Sequence, residues 1–133
     1  MIGIVIIAHA GLAKAYADAV EHVVGDVPEM ICVSVNSEDG PTTRRAEIRA
    51  AVAQVNRGDG VVLVTDLFGS TPSNLAIGAC DADQMDVLYG ANLPMLIQLA
   101  KSRHHSRAEA VEAALAAGRR YMNVWRTPIA RAM

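Results

Sequence analysis

Residues 60–79 read GVVLVTDLFGSTPSNLAIGA, and this segment gives the clearest indication of the architecture. It opens with a continuous apolar run rather than the alternation of a half-exposed strand, which is typical of a strand buried on both faces of a parallel sheet. A polar turn follows. Thr71 and Pro72 then provide a helix start signal, a hydroxyl N-cap followed by proline at the first helical position. The stretch is therefore predicted to be one strand–turn–helix unit.

Three other apolar runs have the same character, at residues 2–8, 30–35 and 85–89. The segments between them show helical spacing of apolar residues, so helices are predicted to cover the sheet. Two more helices are predicted over residues 92–101 and 106–117, the second ending at Gly118 in a left-handed stop. The predicted inward-facing helical residues are Leu12, Tyr16, Ala19, Val20 and Val23, then Ile48, Ala51, Val52 and Val55, then Leu75, Ala76 and Ala79.

This order of elements predicts a three-layer α/β domain with right-handed crossovers. We expect a mostly parallel four-stranded sheet in the order 2-1-3-4 with helices on both faces. Residues 119–126 are predicted to form a final strand, which pairs either with this sheet or with that of a second subunit. No linker, repeat or low-complexity tract interrupts the sequence, so residues 1–133 are interpreted as a single domain.

Composition limits the classes of partner. The 133 residues carry 12 basic and 14 acidic side chains, a formal net charge of −2, which gives no general reason to bind nucleic acid or anionic lipid. Each apolar stretch of the sequence is interrupted by polar or charged residues well before the ~20 residues that a membrane span needs, so no membrane insertion is expected. Cys32 and Cys80 form no C-x-x-C pair, which argues against a disulfide framework or a zinc site and suits the cytoplasm.

Polar residues follow the first and third predicted strands. In open α/β sheets, ligands collect outside the carboxyl ends of the strands, where the strand order reverses. His9 ends the first strand and Asp66 follows the third, so a 2-1-3-4 order places them side by side. A carboxylate that accepts the proton of one ring nitrogen leaves the other nitrogen outward and nucleophilic. It also stabilises the ring when the ring becomes cationic.

The same edge offers a place for the oxygens of a phosphoryl group. Residues 69–71 bring small side chains, hydroxyls and backbone amides to a helix N-terminus, and residues 10–11 open another. The sequence predicts no metal site and no cofactor. The residues predicted to hold the phosphoryl group are Ala10, Gly11, Gly69, Ser70 and Thr71, and those predicted to wall the crevice are Phe68, Asn92 and Pro94.

Three segments, taken together, resemble a known family. They are residues 4–9 (IVIIAH), 66–74 (DLFGSTPSN) and 90–96 (GANLPML). In this order and at these spacings they resemble the mannose-type (PTS-EIIA type 4) IIA domains of the bacterial phosphotransferase system. The chain departs from the family pattern at two positions: Ala10 stands where glycine is common, and Ser70 stands where a second glycine is usual.

The resemblance implies a phosphoryl carrier. Phosphorylated HPr would donate to the outward nitrogen of His9, Asp66 would orient the ring, and a IIB partner would accept the group. The hydroxyl and amides at Ser70 and Thr71 would receive the phosphoryl oxygens. The resemblance also implies a homodimer in which the terminal strand is exchanged between subunits. Sugar uptake and a regulatory role are both open as the end point.

Other readings compete with this one. A response-regulator receiver would carry the phosphoryl group on Asp66. Receivers, however, have an acidic pair after the first strand, where this chain has His9. They also need a well-placed lysine, and the two lysines, Lys14 and Lys101, are not well placed. The IIA domain of dihydroxyacetone kinase phosphotransferases is a nearer alternative. A non-catalytic module that senses a phosphorylated partner is a third.

Overall fold

The computed structural model describes residues 1–36 and 40–126. None of the helices in these residues has both the length and the apolar character to cross a membrane. Along the chain the elements are β1 (Gly3–His9), α1 (Leu12–Val24), β2 (Met30–Val35), α2 (Pro41–Val55), β3 (Val61–Thr65), α3 (Thr71–Ala79), β4 (Met85–Leu88), α4 (Leu93–Lys101) and α5 (Arg107–Arg120).

The four strands pair in parallel in the order β2-β1-β3-β4, which confirms the predicted 2-1-3-4 order. In the register of the central pair, Ile7 lies opposite Thr65, the last residue of β3. On its other side β1 runs to His9, opposite Val35 of β2. The carboxyl ends of β1 and β3 therefore meet at one edge of the sheet, with His9 and Asp66 both at that edge.

The core consists of two layers, one on each face of the sheet. Alternate residues of β1 enter opposite layers, because successive side chains of a strand point to opposite faces. Ile4 and Ile6 pack with α1, α4 and α5, whereas Val5 and Ile7 pack with α2 and α3. Burial on both faces explains the continuous apolar runs of the sequence.

The predicted inward face agrees with the buried residues in α2 but only partly in α1. In α2 the predicted face is confirmed, with every one of its residues buried. In α1 the prediction is partly wrong, because Leu12 and Val23 are exposed while Ala13 and Ala17 are buried. The buried residues of α1 are Ala13, Ala17 and the predicted Val20, and the two alanines let the helix approach the sheet closely.

The predicted end of α5 at Gly118 and the strand over residues 119–126 are wrong for the single chain. The helix continues to Arg120, and residues 122–126 have no regular secondary structure. Gly118 serves close packing instead of a turn, since a Cβ there would lie 3.1 Å from the Cβ of Met95. A strand needs an edge to pair with, and among the described residues no strand pairs with 122–126. The side chains of Met122 and Trp125 are exposed.

Candidate functional site

The ends of β1 and β3 bring His9 and Asp66 into direct contact. The Nδ1 atom of His9 lies 2.7 Å from Oδ2 of Asp66, and the backbone amide of His9 donates to the same oxygen at 3.0 Å. The His9 side chain is 50% exposed, whereas the Asp66 side chain is only 10% exposed. The imidazole is thus accessible to a partner while the carboxylate stands behind it.

The electrostatics of Asp66 determine which ring nitrogen carries the proton. Burial raises the pKa of the carboxyl, but hydrogen bonds from the backbone and ring of His9, with the charge of that ring, outweigh burial and hold the pKa below its usual value. Asp66 is therefore ionised near neutral pH and acts only as an acceptor. The proton then sits on Nδ1, and Nε2 on the far side of the ring keeps a lone pair.

The same geometry disfavours Asp66 as a phosphoryl acceptor. One carboxylate oxygen is held by His9, and the other, Oδ1, is buried without a hydrogen-bond partner among the described residues. A phosphoryl donor would have to reach an oxygen that solvent does not reach. The receiver-like alternative, in which Asp66 is the phosphoacceptor, therefore finds no support in this arrangement.

The turn between β1 and α1 is short and lightly held. Ala10 adopts a positive φ of 47°, a left-handed conformation that favours glycine, and its amide donates to the carbonyl of Val35 at 3.0 Å. Gly11 is the N-cap of α1, and no side chain caps the first turn of this helix. The Ala10 amide is thus already engaged, and the polar groups that this turn presents are the amides that begin at Gly11.

The turn between β3 and α3 is held by its own side chains. The hydroxyl of Ser70 accepts from the amide of Ser73 at 3.4 Å and donates to the carbonyl of Leu67. The amide of Gly69, at a φ of 84°, donates to the hydroxyl of Ser73 at 3.2 Å. Ser70 is the N-cap and Thr71 the first, exposed helical residue, so α3 begins one residue earlier than predicted.

The residues predicted to wall the crevice have separate surroundings. Phe68 is exposed beside the site loop, and its ring lies 4.6 Å from the ring of Tyr89, centre to centre. Asn92 caps α4 by accepting from the amide of Met95, and its amide group donates to the carbonyl of Gly118, both at 3.0 Å.

Asn92 and Pro94 line two different grooves. Asn92 lines a groove of about 410 Å³ along β4, α4 and α5. Pro94 lines one of about 240 Å³ between α4 and α5. The linings given by the described residues contain neither His9 nor Asp66. That Asn92 and Pro94 wall the crevice beside His9 stays a prediction.

Tyr16 is a neighbour of the site that the sequence indicated only as an inward-facing residue of the first helix. Its hydroxyl donates to the carbonyl of Ala91 at 3.0 Å. Burial, and then the charge of Asp66, raises the pKa of the phenol. The available signal was a hydroxyl-bearing aromatic on the inner face of a helix that starts directly after His9.

Metal-binding side chains and thiols do not add to this site. Across residues 1–36 and 40–126, no group of three or more His, Cys, Asp or Glu side chains is arranged to hold a metal ion. Cys32 and Cys80 are free and partly buried, and burial raises the pKa of each thiol. Both thiols are therefore poor nucleophiles near neutral pH.

Comparison with known sequences identifies relatives that cover most of the chain. The sequence profile of the EIIA-man family, described as the PTS system fructose IIA component, matches residues 3–116. The PTS system sorbose-specific EIIA component of Lacticaseibacillus casei is 31% identical over 98 residues, which is 73% of this chain and 70% of that protein. The PTS system fructose-specific EIIA component of Bacillus subtilis (strain 168) is 28% identical over 106 residues, 79% of this chain and 73% of that protein.

Solved structures share the fold. The mannose/sorbose-specific IIA subunit of the phosphotransferase system of Enterococcus faecalis superposes with a TM-score of 0.84 at 24% identity, covering 96% of each chain. The phosphotransferase system component EIIA of Streptococcus agalactiae gives a TM-score of 0.82 at 22% identity, covering 93% of this chain and 97% of that one. At these identities the structural likeness speaks for the architecture alone.

Proposed function

The chain belongs to the EIIA-man family, the IIA components of sugar phosphotransferase systems, and we propose that it carries a phosphoryl group on His9. The observation that supports this proposal best is the 2.7 Å contact between Nδ1 of His9 and Oδ2 of Asp66 behind a half-exposed ring. A buried carboxylate that holds one nitrogen leaves one nitrogen free to react. That nitrogen, Nε2, is the proposed phosphorylation site.

In the first half of the reaction, phosphorylated HPr presents its phosphohistidine to His9. The lone pair of Nε2 attacks phosphorus, the N–P bond of the donor breaks, and the donor nitrogen takes the bonding electron pair. The Nδ1 proton stays on His9, hydrogen-bonded to Asp66, whose negative charge offsets the positive charge that develops on the ring. In the second half, an acceptor on the IIB partner attacks phosphorus and Nε2 leaves with the electron pair.

The oxygens of the phosphoryl group are proposed to rest against two helix N-termini. The uncapped first turn of α1, beginning at Gly11, offers backbone amides and the positive end of a helix dipole. On the other side, Thr71 is exposed at the start of α3. For Ser70 to bind a phosphoryl oxygen, its hydroxyl must turn away from the carbonyl of Leu67.

Protein partners have an apolar surface to contact beside His9. Leu67 and Phe68 are 62% and 60% exposed in the loop that follows β3. Apolar side chains of this kind form the centre of many transient interfaces. We propose that HPr and IIB both contact this loop and that the protein works in the cytoplasm. We also propose that the phosphoryl transfer serves sugar uptake.

We further propose that residues 1–133 form one IIA domain that works as a homodimer. The exposed apolar side chains that follow α5, with the groove of about 410 Å³ along the edge strand β4, are the surfaces suited to exchange of the terminal segment.

The proposal is tested by labelling. The protein is incubated with radiolabelled phosphoenolpyruvate, enzyme I and HPr, and the label is examined for its chemical stability. We expect one phosphoryl group per chain, labile in acid and stable in base, as a phosphohistidine is. His9→Ala is expected to abolish the label and keep the fold, because the side chain is half exposed. A base-labile label that survives in His9→Ala would place the group on a carboxylate and refute the proposal.

A further inference from the structure

Two hydrogen bonds connect the first helix to the backbone that carries Asp66. The hydroxyl of Tyr16, in α1, donates to the carbonyl of Ala91 at 3.0 Å. The amide of Ala91 in turn donates to the carbonyl of Thr65 at 3.0 Å. Thr65 is the last residue of β3 and directly precedes Asp66. The two hydrogen bonds therefore link the phenol to the residue next to Asp66 in the chain.

The orientation of the Asp66 carboxylate depends on the position of the backbone at Thr65. Its Oδ2 atom receives both hydrogen bonds from His9, whereas Oδ1 is buried and has no partner among the described residues. In those residues no other side chain holds the carboxylate from behind. A small shift of the Thr65 carbonyl would consequently change the distance between Oδ2 and the ring.

The phenol is suited to remain a donor throughout. Burial and the charge of Asp66 raise its pKa, so it keeps its proton near neutral pH. The hydroxyl is partly buried, which makes loss of the bond to Ala91 costly because the carbonyl would be left without its donor.

We infer that Tyr16 is a positioning residue for the His9–Asp66 pair, acting through the hydrogen bonds of Ala91 and Thr65. The inference rests on the proposed function where it concerns the rate of phosphoryl transfer. Where it concerns the position of the proton on the His9 ring, it stands on the geometry alone. The two parts are therefore measured separately.

The test compares Tyr16→Phe with the unaltered protein and with Tyr121→Phe. Tyr121→Phe removes a hydroxyl from an exposed tyrosine at the C-terminal end of α5, outside the loops that carry His9, Asp66 and Phe68, so it is the matched control. In Tyr16→Phe, nitrogen NMR of the His9 ring is expected to show a smaller fraction of the Nδ1-protonated form. The rate of phosphorylation by phospho-HPr is expected to fall roughly fivefold, as loss of one buried hydrogen bond implies. Tyr121→Phe is expected to change neither quantity.

The outcomes separate the inference from the function on which it builds. Unaltered ring signals in Tyr16→Phe overturn the positioning role, and they do so even if the rate or the thermal stability falls, because a merely structural hydroxyl would give that result. Altered ring signals support the role. If the unaltered protein accepts no phosphoryl group, the proposed function fails, while the NMR comparison still decides whether Tyr16 sets the His9–Asp66 contact.

Discussion

The turn after β1 and the turn after β3 lie at the same edge of the sheet and both lead into a helix, but their backbones are held differently. In the second turn, Ser70 and Ser73 bind the backbone of the loop and cap α3. In the first, Ala10 is held in a left-handed conformation and α1 has no side-chain cap. The second turn thus uses its two serine hydroxyls internally, whereas the first turn has backbone amides at its helix start that no side chain caps.

This difference shows why residue type alone does not identify a phosphate site. Glycine, serine and threonine are the residues of phosphate loops, and they are also the residues of helix caps. In residues 69–73 the serine hydroxyls already form capping hydrogen bonds. The comparison predicts that the first turn binds the phosphoryl oxygens more directly than the second does.

Among substitutions that keep His9, the largest expected effect belongs to Asp66, which follows β3 and contacts the last residue of β1. Asp66→Asn is expected to slow phosphorylation of His9 on the order of 100-fold, because an amide can donate as well as accept and no longer fixes the proton on Nδ1. The nucleophile remains, so transfer is slowed and not abolished. The measurement is the initial rate of label transfer from phospho-HPr.

The matched control is Asp18→Asn, which removes an exposed carboxylate of α1 that pairs with Lys14. It should leave the rate unchanged.

The pH dependence of stability gives an independent check. In the folded protein the pKa of Asp66 lies below its ordinary value of 3.8. The contact with His9 therefore stabilises the fold fully above pH 3.8, and this stabilisation is lost as the pH falls through the lower pKa of the folded protein. The stability gap between the protein and Asp66→Asn should close at that acidic end, and a gap that is constant with pH would contradict the assignment.

The second prediction tests whether the amides of the first turn bind the phosphoryl group. Gly11→Asp and Gly11→Asn add side chains of nearly equal size at a position where a Cβ meets nothing within 4 Å. A carboxylate there repels an incoming phosphoryl group, so Gly11→Asp is expected to react about tenfold more slowly than Gly11→Asn. Equal rates would show that the phosphoryl oxygens do not approach α1.

The third prediction compares two serine N-caps. Ser70→Ala and Ser106→Ala each remove the cap of a helix, α3 and α5 respectively, and each is expected to lower the free energy of unfolding by about 1 kcal/mol in urea denaturation. Only Ser70 lies in the turn that follows Asp66. A few-fold loss of transfer rate in Ser70→Ala alone would assign it a phosphoryl contact, whereas equal rates in both variants would restrict it to capping.

The smallest expected effect concerns the conformation of the first turn. Ala10 adopts a φ of 47°, which costs an alanine more than a glycine. Ala10→Gly is therefore expected to stabilise the fold by up to about 1 kcal/mol, after the larger entropy loss of glycine is counted. Urea denaturation measures the difference. A clear destabilisation would mean that the alanine methyl makes contacts that outweigh its backbone strain.

Much of the architecture was accessible from the sequence, because hydrophobic periodicity responds to burial. Strands buried on both faces leave continuous apolar runs, and all four were found within a residue of their ends. The meeting of His9 and Asp66 followed from the strand order, since neighbouring parallel strands end at the same edge.

The remaining features depend on contacts between distant residues. Gly118 resembled a helix stop, but it is small because α4 packs against it, and sequence spacing does not reveal such a neighbour. The sequence alone allows Ser70 both a helix cap and a phosphoryl contact, and the fold shows the cap and adds a bond from its hydroxyl to the carbonyl of Leu67. The link from Tyr16 to Ala91 joins elements far apart in the chain, and no local pattern predicts it.

Because Asp66 occupies Nδ1, only one atom of His9 is left to react, and this restricts the kinetics and stereochemistry of the proposed relay. Two partners cannot use Nε2 at once, so double-reciprocal plots should show the parallel lines of a ping-pong mechanism. Each in-line displacement inverts the configuration at phosphorus. A chiral, isotopically labelled phosphoryl group should therefore pass from donor to acceptor with net retention.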